Sequence, residues 1–162
     1  MVILGIDPGL NTSGYGVIRY EKSRIQFISA GTISTAKAKN FSEKLEILYK
    51  TCCEIIDDYH PDVCAIEETF SNVNPRTSLK LGHARGVLML AGQMKECPIY
   101  EYPATVVKKS LTGVGSASKE QVKYMVQKML KLQQLAGTLD VSDALAVAIT
   151  HYNQMRYKML KI

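Results

Sequence analysis

Paired cysteines, long apolar runs and repeated segments are all missing from this chain of 162 residues. Its four cysteines, Cys52, Cys53, Cys64 and Cys97, form no C-x-x-C pair and have no metal-ligand spacing, so neither a disulfide framework nor a thiolate metal site is indicated. They read as reduced thiols of a cytoplasmic protein, and Cys64 falls within an apolar strand pattern. No apolar run approaches the roughly 20 residues of a membrane span. No basic segment followed by an apolar core and a small-residue cleavage site opens the chain, so a soluble, untargeted protein without a membrane partner is expected. Low-complexity stretches and linkers are absent as well.

What is present is an ordinary globular composition. A hydrophobic content of 46% suits one domain; a chain of this length buries about 70% of the surface its unfolded form exposes. Twenty Lys and Arg against fifteen Asp and Glu leave a formal charge of +5, with a pI near 9.0. That balance points to a polyanionic partner, and nucleic acid leads that class because several of the acids fall in clusters, leaving the rest of the surface more basic than the total.

Three strands are expected at 2–7, 14–20 and 25–33, with short connections that suggest an antiparallel meander. The apolar residues Phe41, Leu45, Leu48, Ile55 and Ile56 keep a helical spacing from Phe41 to Tyr59, with Ser42 near the start and Pro61 beyond the end. A strand follows at 62–67, then a polar loop with Asn72, Asn74 and Pro75, a helix at 76–95 and a strand at 98–102. Ser118 with Gln121 forms a capping-box pattern that opens a helix reaching about residue 132, and a last helix starts near Asp140. The expected fold is α/β, a mixed five-stranded sheet flanked by helices. Gly82 and Gly86 stand one turn apart in the middle helix at a cost of about 1 kcal/mol each, which predicts a close helix contact, either internal or across a dimer.

The first strand ends in Asp7 and the fourth in Glu67, and helical crossovers would set those strands parallel and adjacent, acids facing. Asp7 in Asp-Pro-Gly is either a turn residue or a carboxylate in need of a partner. Asp140 and Asp143, three apart, project from one helix face; the pair serves either as N-cap and dipole partner or as part of a shared site. Four carboxylates in one place repel by about 4 kcal/mol per close pair at 4 Å and an effective dielectric near 20, so a cation or protons must compensate. Hard oxygen donors without nearby cysteine or histidine pairs suit Mg²⁺ or Mn²⁺ rather than zinc. Two such ions about 3.5 to 4 Å apart serve in-line phosphodiester displacement, which makes the reading a metal-dependent nuclease.

The segments Gly5-Ile6-Asp7-Pro8-Gly9, Ala65-Ile66-Glu67-Glu68-Thr69-Phe70 and Asp140-Val141-Ser142-Asp143-Ala144-Leu145-Ala146 resemble, in order and spacing, those of the RuvC family of bacterial Holliday-junction resolvases, in the ribonuclease H-like superfamily. The resemblance extends through Ser78 to Gly86 and Gly113 to Lys119, and covers nearly all of residues 1–162 as one nuclease domain. It implies that Asp7, Glu67, Asp140 and Asp143 bind two metal ions, Mg²⁺ with Mn²⁺ as a substitute. Glu68, on the opposite side of a strand from Glu67, is left out. Lys108 and Lys119 match basic residues near the scissile phosphate. Phe70 matches an aromatic that stacks on an unpaired base at the junction centre, the other reading being a core residue. Arg76, Lys80 and Arg85 serve either as phosphate contacts or as a solvated helix face. His83, where relatives often carry Gln, reads as buried or partner-facing rather than as a ligand. The basic residues Arg156, Lys158 and Lys161 either touch DNA or solubilise a helix end.

The implied activity is symmetric nicking of two opposing strands of a four-way junction by a homodimer during recombination and repair, leaving 5′-phosphate and 3′-hydroxyl ends. A branch-migration motor is the implied partner. The alternatives are a related ribonuclease H-like nuclease with another substrate, or a junction-binding module that does not cut. An ATP-binding protein of the actin and sugar-kinase class shares the first glycine-containing loop, but it needs a second lobe with another phosphate loop, which these 162 residues do not contain.

Overall fold

One central strand organises the molecule. The computed structural model describes residues 1–22, 24–68, 74–135 and 137–159. Strand β1 (Val2–Asp7) lies in the middle of a five-stranded sheet of order β3-β2-β1-β4-β5, with β2 at Thr12–Glu21, β3 at Arg24–Ser34, β4 at Val63–Glu68 and β5 at Ile99–Pro103. Its Ile3, Leu4 and Ile6 are buried on both faces, as a strand covered by helices on either side requires. β1 pairs antiparallel with β2, and β2 with β3, which is the expected meander. β4 joins β1 in parallel and β5 joins β4 in parallel.

Two helices, α1 (Phe41–Tyr59) and α2 (Pro75–Met94), cover one face through Leu48, Cys52, Ile56, Ala84 and Leu88. Asn40 caps α1 by accepting from the Glu43 N–H at 2.9 Å, while the Glu43 side chain accepts from the Lys39 N–H, so the cap falls two residues before the expected Ser42. Asn74 and Pro75 start α2 in the same way, the proline supplying a helical φ where no donor is needed.

The other face carries α3 (Ala104–Thr112), α4 (Lys119–Leu130) and α5 (Leu139–Met159). The capping box of Ser118 and Gln121 is fully formed at the start of α4. From Val141 to Tyr152 every residue of α5 except Asp143 is buried, because the helix is sandwiched between the sheet and α3 and α4. Helix α3 is not expected from the sequence. Its β-branched Thr105, Val106 and Val107 disfavour an isolated helix, and burial of Val107 and Leu111 against α4 and α5 outweighs that preference.

Gly82 and Gly86 correct an expectation in part. Among the described residues a Cβ built on either meets no atom within 4 Å, so no internal contact there explains them. His83 is exposed rather than buried; its Nδ1 lies 2.7 Å from the Leu79 carbonyl, and its ring stands edge-on to Phe41. The four cysteines are free thiols, and burial pushes those of Cys52 and Cys97 up to about 12 and about 11, so they stay neutral. Among the described residues no helix is long and apolar enough to cross a membrane.

Candidate active site

The parallel register Ile6 opposite Ile66 sets the next residues, Asp7 and Glu67, side by side at the carboxyl ends of β1 and β4, where their carboxyl groups share a hydrogen bond. Behind them Ala104, Val107 and Val122 form an apolar wall, closing a cavity of about 180 Å³ that Asp143, Lys108 and Lys119 complete. Burial in that wall, then the charges of Glu67 and Asp143, push Asp7 from an ordinary 3.8 up to about 8. Burial also raises Glu67, opposed first by the hydrogen bond it accepts from Asp7 and then by the charges of Lys119 and Lys108. At neutral pH the pair therefore holds a proton, which Asp7 donates to Glu67.

Asp140 and Asp143 enter from the first turn of α5, which begins at Leu139 rather than at Asp140. Asp140 is thus inside the helix and not its N-cap, and its Oδ2 accepts from the Thr138 hydroxyl at 3.2 Å. Helix α5 can come this close because glycines line the sheet beneath it. A Cβ on Gly14, which pairs with Asp7, would stand 2.0 Å from the Asp140 carbonyl oxygen, and one on Gly5 would stand 2.1 Å from that of Ala144. The absent side chains bring the helix-borne acids to the strand-borne ones.

Lys119, the first residue of α4, places Nζ 2.8 Å from Asp143 Oδ2, and its pKa is raised chiefly by that bond. Lys108 on α3 lines the same cavity. In this arrangement each acid faces a proton, a hydroxyl or an ammonium. Among the described residues no three Asp, Glu, His or Cys side chains converge at metal-ligating distance. The chemistry of the donor set still fits a hard divalent cation: all donors are carboxylate oxygens, the Asp7–Glu67 pair holds a proton for want of positive charge, and an ammonium stands against Asp143.

The other expected residues lie elsewhere. Arg76 and Lys80 are exposed near the start of α2, and Lys80 Nζ sits over the Phe41 ring at 5.7 Å. Arg85 is ion-paired to Glu101 of β5, an attachment the sequence did not reveal, and its buried Nε has no hydrogen-bond partner among the described residues. Phe70 and the neighbouring Ser71, Asn72 and Val73 fall outside the described residues.

A family model described as crossover junction endodeoxyribonuclease RuvC matches residues 3–151, a span that includes the sheet, both lysine-bearing helices and all four acids. The chain belongs to the RuvC family. Crossover junction endodeoxyribonuclease RuvC of Geotalea uraniireducens is 45% identical over 100% of this chain and 95% of its own length. A Thermus thermophilus RuvC structure superposes with a TM-score of 0.89 at 30% identity, covering 98% of this chain and 97% of that one. T. thermophilus RuvC in complex with a Holliday junction substrate gives 0.87 at 28% identity, over 97% and 96%. The mixed sheet with helices on both faces is thus a RuvC fold, and the activity class is that of the crossover junction endodeoxyribonucleases. Within this RuvC chain, sequence reasoning missed the supporting groups: the apolar wall of Val107 and Val122, Thr138 behind Asp140, and the glycines under α5. Gly14 and Gly16 inside a strand were the available signal for the last.

Proposed function

We propose that this chain resolves four-way DNA junctions by nicking two opposing strands with divalent metal, Mg²⁺ or Mn²⁺, two ions to a site. The observation that carries the reading is the gathering of Asp7, Glu67 and Asp143 with Lys108 and Lys119 around one small, apolar-backed cavity, with Asp140 a turn away on α5. Bound ions would supply activation of a water and stabilisation of the leaving oxygen. Asp7, Glu67, Asp140 and Asp143 are the holders. To ligate a cation, the Asp7–Glu67 pair gives up its shared proton and Asp143 lets go of Lys119. The freed Lys119 ammonium, with Lys108, is then placed to neutralise charge on the phosphate that undergoes attack.

The family membership and the Holliday-junction complex of T. thermophilus RuvC support the substrate. On the same reading Phe70 stacks on a base at the junction centre, and Arg76 and Lys80 contact phosphates; Arg85 joins them only by exchanging Glu101 for a phosphate oxygen. A homodimer is supported by α2. Leu79, Leu90 and Met94 are 65%, 51% and 63% exposed, and they share a stripe with Gly82 and Gly86, whose open faces allow a second helix to approach. Two such sites related by a two-fold axis match the approximate symmetry of a junction. A cytoplasmic location and a branch-migration motor as partner complete the proposal, as does organisation of residues 1–162 as one nuclease domain.

Cleavage of a labelled, mobile four-way junction with and without Mg²⁺, beside a linear duplex, tests the function. Paired, metal-dependent nicks on the junction alone are expected. Equal cutting of the duplex makes the protein a general nuclease, and tight junction binding without any cutting makes it a binding module.

A further inference from the structure

On the α4 and α5 face, a cleft of about 710 Å³ opens between the start of β3 and the ends of those two helices. Its floor is apolar: Leu130 and Tyr152 belong to the core, with Ile25 and Leu132 beside them. Its rim is basic, with Arg24, Lys131 and Arg156, and among the described residues no acidic side chain lines it. Neither Arg24 nor Lys131 is ion-paired among the described residues. Arg156 is held in place over the Tyr152 ring at 5.7 Å and donates to its hydroxyl at 3.2 Å, leaving other guanidinium donors unused.

Two backbone features add to this. β3 is an edge strand that pairs with β2 alone, so one row of its N–H and C=O groups beside the cleft lacks a strand partner. Lys131 holds a left-handed backbone, φ 55°, at the end of α4, a position that glycine fills with less strain. A lysine kept there retains a charge at some conformational cost.

The cleft is remote from the acids. Twelve helical residues separate Lys131 from Lys119 and thirteen separate Arg156 from Asp143, roughly 18 to 20 Å at 1.5 Å per residue. It also lies on the opposite face of the sheet from the α2 stripe, so a dimer formed through α2 leaves it open.

We propose that this cleft is a docking site for an extended acidic segment of a partner protein, one in which apolar side chains alternate with Asp or Glu. The apolar residues would meet Ile25, Leu130 and Leu132, the carboxylates would meet Arg24, Lys131 and Arg156, and the segment's backbone would add a strand to β3. Apolar walls favour peptide over duplex DNA, whose outer surface offers phosphate but no apolar side groups for such a floor. The inference stands apart from the nuclease reading, since it uses none of the residues of the acid site.

Selection of random twelve-residue peptides displayed on phage, against the full chain held with saturating four-way junction in metal-free buffer, tests it. Enrichment of acidic, alternately apolar peptides is expected. Their affinity should fall by about tenfold or more in the Arg24→Glu/Lys131→Glu double variant and by a few-fold in Lys131→Gly. Glycine suits the left-handed backbone, so Lys131→Gly should melt no earlier than the parent, and its loss of affinity then reports the ammonium rather than the fold. Junction nicking should stay within about twofold of the parent in both variants, since surface sites this far apart are energetically independent. Absence of enrichment, peptides without acidic character, or affinity unchanged in the double variant overturns the proposal. So does displacement of the selected peptides by linear duplex, which makes the cleft a DNA surface, or a dimer dissociation constant altered by the double variant, which makes it a contact between copies.

Discussion

Lys119 sets its ammonium 2.8 Å from Asp143 at the mouth of the acid cavity, with the lysine side chain 56% exposed and the aspartate only 13%. The bond gives the buried carboxylate its counter-ion. Lys119→Met keeps the stem and removes the charge. Junction nicking should fall by about 10²-fold or more, in line with loss of a group that stabilises developing charge. Single-turnover rates at saturating Mg²⁺ check this; a rate within a few-fold of the parent removes Lys119 from the reaction.

Asp7→Asn should abolish nicking, by about 10³-fold or more, while junction binding in a gel-shift assay is retained. The amide can still hydrogen-bond to Glu67, so the fold is kept and only the anionic oxygen is lost. Normal cleavage by this variant takes Asp7 out of the mechanism.

The same residue makes the metal-free protein sensitive to alkali. The pKa of Asp7 in the folded chain lies near 8, above its ordinary 3.8, so the folded state binds the extra proton between those values. Stability therefore falls as pH rises from about 4 to about 8 and levels off above that. Melting of metal-free protein across that range should show a decline that is shallower in Asp7→Asn, and the variant should be the more stable of the two at pH 8. Equal pH dependence in the two proteins would contradict the shared proton.

Gly14 and Gly86 should behave oppositely when substituted by alanine. At Gly14 the methyl collides with the backbone of Asp140, so the variant should lose about 1 to 3 kcal/mol of stability and much of its nicking activity together. At Gly86 the methyl meets nothing among the described residues, and helix propensity alone should raise the stability of an isolated protomer by up to about 1 kcal/mol. Gly86→Arg, however, should shift sedimentation towards monomer. A dimer undisturbed by that arginine places the interface away from α2.

Much of this site was legible because it rests on local chemistry. Asp7 and Glu67 end strands whose parallel pairing follows from helical crossovers, and Asp140 and Asp143 are one helical turn apart, so alternation and periodicity alone bring each pair together. The partners of those acids were less legible. Lys119 and Asp143 meet across 24 residues, and Arg85 finds Glu101 only because α2 packs beside β5. Contacts of that kind depend on where helices settle on the sheet, which no window of sequence encodes. Helix α3 was missed for a related reason, since Thr105, Val106 and Val107 favour extended backbone and only the packing of Val107 and Leu111 decides otherwise.

The burial of α5 on every side has a consequence for how activity is lost. Two of the four carboxylates ride on the helix whose residues 141–152 are all buried except Asp143, an element that cannot loosen without breaking the core on that face. Amide protons there should exchange only through global opening, at the rate set by the stability of the whole chain. Warming should then switch off nicking in a single step that coincides with unfolding, with no interval in which an intact protein carries a softened catalytic centre.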